Sequence, residues 1–269
     1  MSSESVSNDL FAGAPAVRLA GGVLMPCLGL GVWMVPRDET EQVVGWALEA
    51  GYRHVDTAAA YGNEEGVGRG LRASGLARED LFVTTKLRPG AGDPRRQLET
   101  SLAKLGLEHV DLYLIHSPGP GSQEAWPGLE RLHADGLARA IGVSNYDPAR
   151  LRRTVEAAEV PPAVNQIEWH PGVGSPAVTD AHRELGVLLE SYSPLGHGRI
   201  LGHPVVAEVA ERLGRTPAQV LVRWCLERDV PTIPKSRSRE RIVENAAVFD
   251  FRLEPQDMAR LDGLRARGR

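Results

Sequence analysis

Cysteine is almost missing from this chain. Its two cysteines, Cys27 and Cys225, lie far apart and neither has a metal-ligand spacing around it. That pattern excludes a disulfide-stapled scaffold and a thiolate metal centre, and it reads as two reduced, packed thiols. An excess of charge of one sign is missing too. With 31 Lys+Arg against 35 Asp+Glu and a pI near 6.1, the chain offers no footprint for nucleic acid, and the basic end, Arg265, Arg267 and Arg269, reads as a solvated tail. No apolar run is long enough to cross a bilayer. The Ser-rich first residues have neither the basic flank nor the apolar centre of a signal peptide, so 1–14 is expected to be a flexible leader and the cytoplasm is the expected location. There is no G-x-G-x-x-G and no P-loop, which removes the phosphate turn that a doubly wound sheet needs after its first strand. Gly66-Val67-Gly68-Arg69-Gly70 is a near-miss inside a helical stretch, where glycines are expected to permit close helix packing. Linkers and low-complexity tracts are also lacking, so 15–269 is expected to fold as a single domain.

What is present is a rhythm. Residues 17–25 read as a hairpin turning on Gly21-Gly22. Short apolar runs follow at 28–32, 52–55, 81–85, 112–115, 140–143, 163–167, 187–189 and 232–233, separated by segments of helical spacing. Asp93-Pro94, Asp147-Pro148 and Thr216-Pro217 start helices, with proline where its missing N–H costs nothing. Runs rich in Val, Ile and Leu suit a sheet buried on both faces. Eight such alternations favour an α/β closed (β/α)8 barrel (a TIM barrel) over an open sheet.

Polar groups recur at the ends of consecutive strands: Asp56 and Tyr61, then Lys86, then His116. Each alone has an ordinary reading, as a turn cap, a loop tyrosine, a surface charge and a satisfied core histidine. Together they sit where barrel active sites form. A phenol with a pKa near 10 holds its proton too tightly for easy transfer at neutral pH. A neighbouring ammonium favours phenolate, and a carboxylate can hold that ammonium and offset the cost of burying it. Tyr61 as acid, Lys86 as its tuner, Asp56 as anchor and His116 as a hydrogen-bond partner for a substrate oxygen suit a carbonyl that becomes an alcohol. The hydride must come from a cofactor, since no side chain donates one.

Several motifs resemble the aldo-keto reductase family over nearly the whole chain, most closely prokaryotic members of the 2,5-diketo-gluconate reductase type. They are Leu28-Gly29-Leu30-Gly31-Val32-Trp33, Tyr61-Gly62-Asn63-Glu64, Thr85-Lys86-Leu87, Asp111-Leu112-Tyr113-Leu114-Ile115-His116, Ile141-Gly142-Val143-Ser144-Asn145, Asn165-Gln166-Ile167-Glu168-Trp169-His170-Pro171, Tyr192-Ser193-Pro194-Leu195-Gly196 and Ile233-Pro234-Lys235-Ser236. The resemblance implies a catalytic tetrad of Asp56, Tyr61, Lys86 and His116, with hydride taken from NADPH. It implies that Lys235, Ser236 and Ser238 face a 2′-phosphate, that Arg241 stacks on adenine, and that Glu244 and Asn245 meet its edge. A solvated helix start is the ordinary reading of the same charge run. Arg237 stands where relatives often carry an apolar residue, and either adds to phosphate binding or points to solvent. Ser144, Asn145 and Gln166 suit a carboxamide, or else form a structural network. Tyr192 offers a face for the nicotinamide, while Gly31, Val32, Ser193 and Leu195 are expected to line the cofactor.

The chain departs from the family in its substrate pocket. Trp33 is a candidate wall, whereas Trp126 reads better as helix core. His116-Ser117-Pro118 and Lys86-Leu87-Arg88 replace aromatic positions of many relatives with a small polar residue and a cation. A wider, wetter pocket is expected, with Arg88 attracting anionic or polyhydroxylated carbonyl substrates and Ser117 lining the cavity. The expected partner is a small carbonyl molecule, with no nucleic acid, membrane or metal, and the expected state is a monomer by analogy. Two rivals remain at this point: a redox-sensing or binding subunit that keeps the cofactor site with little turnover, and a phosphate-binding barrel isomerase or lyase using Lys86 as a Schiff base.

Overall fold

The computed structural model describes residues 14–88, 90 and 92–264. The expected leader up to residue 13 and the basic tail lie outside the described residues. Strands β1 (Ala16–Arg18) and β2 (Leu24–Pro26) pair antiparallel. Their turn runs through Gly21 and Gly22, both at positive φ near 86° and 87°, a conformation that a side chain would oppose. Eight parallel strands follow: β3 (Leu30–Gly31), β4 (His54–Asp56), β5 (Phe82–Leu87), β6 (Val110–Ile115), β7 (Ala138–Ser144), β8 (Val164–Glu168), β9 (Leu188–Tyr192) and β10 (Thr232–Ile233). They pair in strict chain order. The seam between the first and last is closed by backbone bonds from Thr232 N to Cys27 O, Gly29 N to Thr232 O and Gly31 N to Pro234 O, at 2.9, 3.0 and 3.2 Å. The (β/α)8 barrel is thus complete. Strand β3 is shorter than the apolar run 28–32, because Leu28 joins the seam only as an isolated bridge to Thr232.

The helices are α1 (Arg37–Glu49), α2 (Glu64–Ala73), α3 (Pro94–Leu105), α4 (Trp126–Ala134), α5 (Pro148–Ala157), α6 (Pro176–Leu185), α7 (Pro204–Leu213), α8 (Pro217–Leu226), α9 (Arg239–Ala246) and α10 (Pro255–Asp262). Asp93 and Asp147 accept backbone N–H bonds as caps, and Thr216 with Gln219 forms a reciprocal capping box. The α2 glycines do what their spacing suggests. A Cβ on Gly66 would meet the Thr40 side chain at 2.7 Å, one on Gly70 Val44 at 2.8 Å, and one on Gly68 the Leu105 carbonyl at 2.3 Å. Backbone thus packs directly on α1 and on the end of α3. Trp126 is buried at the start of α4 and its indole N–H donates to Glu130, so it is helix core.

Strand period 2 sorts the inward side chains into layers along the barrel axis. The inward series are Phe82-Thr84-Lys86, Leu112-Leu114-His116, Ala140-Gly142-Ser144, Val164-Gln166-Glu168 and Leu188-Glu190-Tyr192, held level by the pairing register. Each begins apolar and ends polar. The hairpin stops the apolar end: Leu19, Val23 and Met25 pack with Phe82, Leu112, Leu114, Ala140 and Val164. The outward side chains Val83, Leu87, Tyr113, Ile115, Ile141 and Val143 belong to the large core shared with the helices. One end of the barrel is therefore sealed by hydrophobic packing, and the other presents a polar layer.

Candidate active site

The polar layer brings Asp56, Tyr61, Lys86 and His116 together. Asp56 ends β4, Lys86 is the last inward residue of β5, and His116 follows β6. Tyr61 closes a one-turn 3₁₀ segment, Ala59–Tyr61, and Gly62 reverses the chain at φ 70°. The loop is pinned by Asn63, whose amide donates to the Val32 and Val35 carbonyls and accepts from Thr57 Oγ1. Nothing in the composition singles Asn63 out as structural. It is 1% exposed, and a buried amide in a loop must be fully bonded.

Lys86 is as deeply buried as a core leucine, at 1% exposure. Its Nζ donates to Asp56 Oδ1 and Oδ2 at 2.6 and 2.8 Å and to the Thr57 carbonyl at 2.9 Å, and lies 3.4 Å from Tyr61 Oη. Burial works against the ammonium, but the Asp56 carboxylate and the Tyr61 phenol outweigh it and hold the Lys86 pKa above its ordinary value. An amine kept protonated and with its three hydrogens committed to acceptors is a poor nucleophile, which removes the basis of the Schiff-base reading. For Tyr61 the expected lowering by Lys86 is present but does not prevail: burial is the largest influence, and the phenol sits above its ordinary pKa. It is therefore protonated at neutral pH, with an ammonium in place to stabilise the phenolate once the proton leaves. His116 packs edge-to-face on Tyr61, with ring centroids 5.5 Å apart. Burial first, and then Lys86, pushes its pKa down to about 4, so at neutral pH it is an uncharged imidazole.

Asp56, Tyr61 and His116 open onto a cavity of about 320 Å³ lined also by Gly31, Trp33, Ser144, Asn145, Gln166, Glu168, Tyr192, Ser193, His197 and Ile233. Tyr192 Oη donates to Asn145 Oδ1 at 2.7 Å, and Asn145 Nδ2 donates to the His116 carbonyl and to Ser144 Oγ at 3.1 and 3.0 Å. Asn145 adopts φ 63°, a left-handed conformation that Asn tolerates well. The ligand and network readings of these residues are thus compatible, since the network fixes side chains that also line the cavity. Glu168 lies within the Asn165–Pro171 motif, which gives it no role of its own, and His197 lies in no motif, yet both line the cavity. Glu168 faces His170, His197 and Arg199 at 3.4, 3.6 and 3.4 Å, and His197 meets Trp33 edge-on at 5.8 Å.

Two expectations about the pocket are not met. Arg88 is exposed, its backbone is held by Gln97, and it is not among the residues lining the cavity. Ser117 does not line it either. Both follow strand ends, and the Arg88 backbone is tied to Gln97 of α3. Val32 is likewise fully buried, its N–H bonded to the Asp56 carbonyl and its own carbonyl to Asn63, outside both cavities.

A second cavity of about 690 Å³ adjoins the first and shares Lys235 with it. Leu195, Ser236, Arg237, Ser238, Arg241, Glu244 and Asn245 line it. Ser238 caps α9 by accepting the Arg241 N–H, and Ser236 Oγ accepts the Ser238 N–H at 3.1 Å. Arg237 neither enters the cavity alone nor points free into solvent, since it pairs with Glu39 of α1 across the opening. Glu244 accepts from Thr216 Oγ1 at 2.7 Å. Asn245 is 3% exposed, and its Oδ1 is buried without a partner among the described residues. Such an orphaned acceptor beside a clustered cation site suits a ligand that brings an N–H donor and an anionic group. A nucleotide cofactor extending from one chamber into the other fits these donors.

A family model described as the aldo/keto reductase family matches residues 27–266. An aldo-keto reductase of Mycobacterium sp. (strain KMS) is 46% identical over 94% of both chains. A glyoxal reductase of Bacillus subtilis (strain 168) is 44% identical over 92% of both. Among solved structures, an aldo/keto reductase from Brucella melitensis superposes with a TM-score of 0.89 at 41% identity, covering 93% of this chain and 98% of that one. A Bombyx mori aldo-keto reductase in complex with NADP superposes at 0.86 and 35% identity, covering 93% and 92%.

Proposed function

The chain belongs to the aldo/keto reductase family, and from that premise we propose that it reduces small aldehydes to alcohols with NADPH, using Tyr61 as the general acid. The carrying observation is the Tyr61 phenol, which lies 3.4 Å from a buried ammonium and beside an uncharged imidazole in a cavity of about 320 Å³. Bound NADPH supplies the hydride. The residues do the rest. His116, uncharged, donates an N–H to the substrate carbonyl oxygen and aims it at Tyr61. As negative charge develops on that oxygen, Tyr61 Oη gives up its proton, and Lys86 stabilises the phenolate left behind. Asp56 keeps Lys86 in place and protonated. The proton returns to Tyr61 from solvent before the next cycle.

Lys235, Ser236 and Ser238 are assigned to the adenosine 2′-phosphate and Arg241 to the adenine face, with Asn245 Oδ1 accepting from the adenine amino group. Ser144, Asn145, Gln166 and Tyr192 are assigned to the nicotinamide end. Size supports a small substrate, because the inner chamber must hold a nicotinamide ring and the carbonyl together. The likeness to a glyoxal reductase fits compact dicarbonyls. A panel of glyoxal, methylglyoxal, a keto-acid and a bulky aromatic ketone, each with NADPH and NADH, tests the reading. Fastest turnover is expected for the compact aldehydes with NADPH. No NADPH oxidation with any of them would leave a cofactor-binding protein without turnover.

A further inference from the structure

The barrel interior holds an acid that the scheme above does not use. Glu190 lies on β9, wholly buried, with its side chain directed into the barrel beneath Asp56. A carboxyl in a dry interior needs a reason, because burying it without one costs several kcal/mol. Its neighbours supply one. Gln166 Nε2 donates to Glu190 Oε2 at 2.8 Å and to Asp56 Oδ2 at 2.8 Å. Asp56 is ionised against Lys86, so the Gln166 atom facing it must be the nitrogen, since an amide oxygen there would be repelled. Glu190 takes the second amide hydrogen. With both hydrogens committed, the oxygen, Oε1, is the amide atom left for the cavity that Gln166 lines.

We infer that Glu190 is a positioning residue for the cofactor: with Asp56 it forms a carboxyl fork that locks the Gln166 amide and presents only its oxygen to the nicotinamide carboxamide. The inference rests on the cofactor reading given above. A carboxamide has an N–H₂ end and an oxygen end, so a cavity wall offering only an acceptor selects one of its two orientations. That selection decides which face of the ring meets the substrate.

The charge state of the fork is consistent with this role. Burial, and then the nearby Asp56, pushes the Glu190 pKa up to about 8. At neutral pH Glu190 keeps its proton while Oε2 still accepts from Gln166. Its other oxygen, Oε1, lies 3.9 Å from His54 Nε2, too far for a hydrogen bond. A glutamine at 190 reproduces a protonated glutamic acid in shape and in acceptor capacity, whereas alanine or leucine does not.

The test compares wild type with Glu190→Ala, Glu190→Leu and Glu190→Gln by equilibrium titration against NADPH and against 2′-phospho-ADP-ribose, the same molecule without its nicotinamide. For Glu190→Ala and Glu190→Leu, NADPH binding is expected to weaken about 5-fold, the worth of roughly one hydrogen bond, while the fragment binds as to wild type. Glu190→Gln is expected to restore NADPH binding. Transfer of deuterium from NADPH labelled on one or the other face of C4 is expected to be confined to one face in wild type and in Glu190→Gln, and to leak to the other in Glu190→Leu. In a Gln166→Ala background Glu190→Leu is expected to add nothing. Equal weakening of both ligands would make Glu190 a structural residue and overturn the inference, as would unchanged NADPH binding and facial selectivity in Glu190→Leu. Glu190→Leu keeps the interior filled if Glu190→Ala fails to fold. Wild type that binds neither ligand would refute the cofactor reading itself, and the inference with it.

Discussion

The inner chamber and the outer groove are built on opposite physical terms. The chamber centres on one buried ammonium with few, short, fully committed bonds: Lys86 is 1% exposed and Asp56 2%. The groove uses several cations at the surface, where water screens each one: Lys235, Arg237 and Arg241 line it and all three are exposed. Chemistry that must discriminate a transition state from a ground state gains from a low dielectric, where a fixed charge acts strongly. Recognition of a phosphate gains from several moderate contacts that form and release in water. Removal of a single group should therefore abolish function in the chamber and only weaken it in the groove.

The largest break in that comparison is Tyr61→Phe. Deleting one hydroxyl is expected to lower kcat by about 10²–10⁴, the usual worth of a positioned acid, while NADPH binding stays within about 2-fold. Stopped-flow turnover and fluorescence titration measure the two. Retained turnover would move the proton to another donor.

Next in size is Lys235→Ala, at the one residue, among those described, that lines both chambers. Loss of a charge-assisted contact is expected to weaken NADPH by about 10- to 100-fold and NADH by far less. Equal weakening would take the 2′-phosphate away from Lys235.

The chamber and the groove also differ in how far the sequence reveals them. Asp56, Lys86 and His116 were legible because strand ends are marked by apolar runs, and an ionisable residue at the end of such a run stands out. The capped start of α9 was legible as well, because Ser238 and the surrounding cations are local signals. Glu190, Glu168 and His197 were not. Glu190 directly follows the apolar run 187–189, yet only the period-2 register across β8 and β9 shows that it points at Gln166. His197 reaches Trp33 through a backbone at φ 54° that no local pattern announces. The net direction of the Tyr61 pKa escaped for the same reason, since sequence shows a neighbouring charge but not the depth of burial that outweighs it.

A smaller effect concerns the acid side of stability. His54 is fully buried against Thr84 Oγ1, and burial, with Lys86 nearby, pushes its pKa down to about 3. The unfolded chain binds that proton near its ordinary value of 6.5, so between about pH 6.5 and 3 the unfolded state carries the extra proton and stability falls as pH falls. The slope from this one group is at most about 1.4 kcal/mol per pH unit. Urea unfolding at pH 7, 6 and 5 is expected to show a shallower loss for His54→Asn than for wild type. Parallel curves would assign the acid sensitivity to the carboxylates alone.

The smallest expected effect separates the groove's logic from the chamber's at Arg88. Read from sequence, Arg88 follows a catalytic strand and looks like a substrate-steering cation. In the fold it is exposed and its backbone is tied to Gln97, while the chamber wall is completed by Trp33, Glu168 and His197 instead. A screened surface charge outside the lining contributes little to a neutral aldehyde and only weak steering to an anion. Arg88→Ala is therefore expected to leave the ratio of keto-acid to aldehyde kcat/KM within about 2-fold of wild type at moderate salt, where such steering is screened. Glu168→Gln, which removes a carboxylate from the wall, is expected to raise the ratio, because a half-buried like charge in the chamber wall opposes an anionic substrate more strongly than a distant solvated cation attracts it. A large fall in the ratio for Arg88→Ala would mean that this arginine reaches the bound substrate after all, and that the wall closes around ligands in a way its present lining does not show.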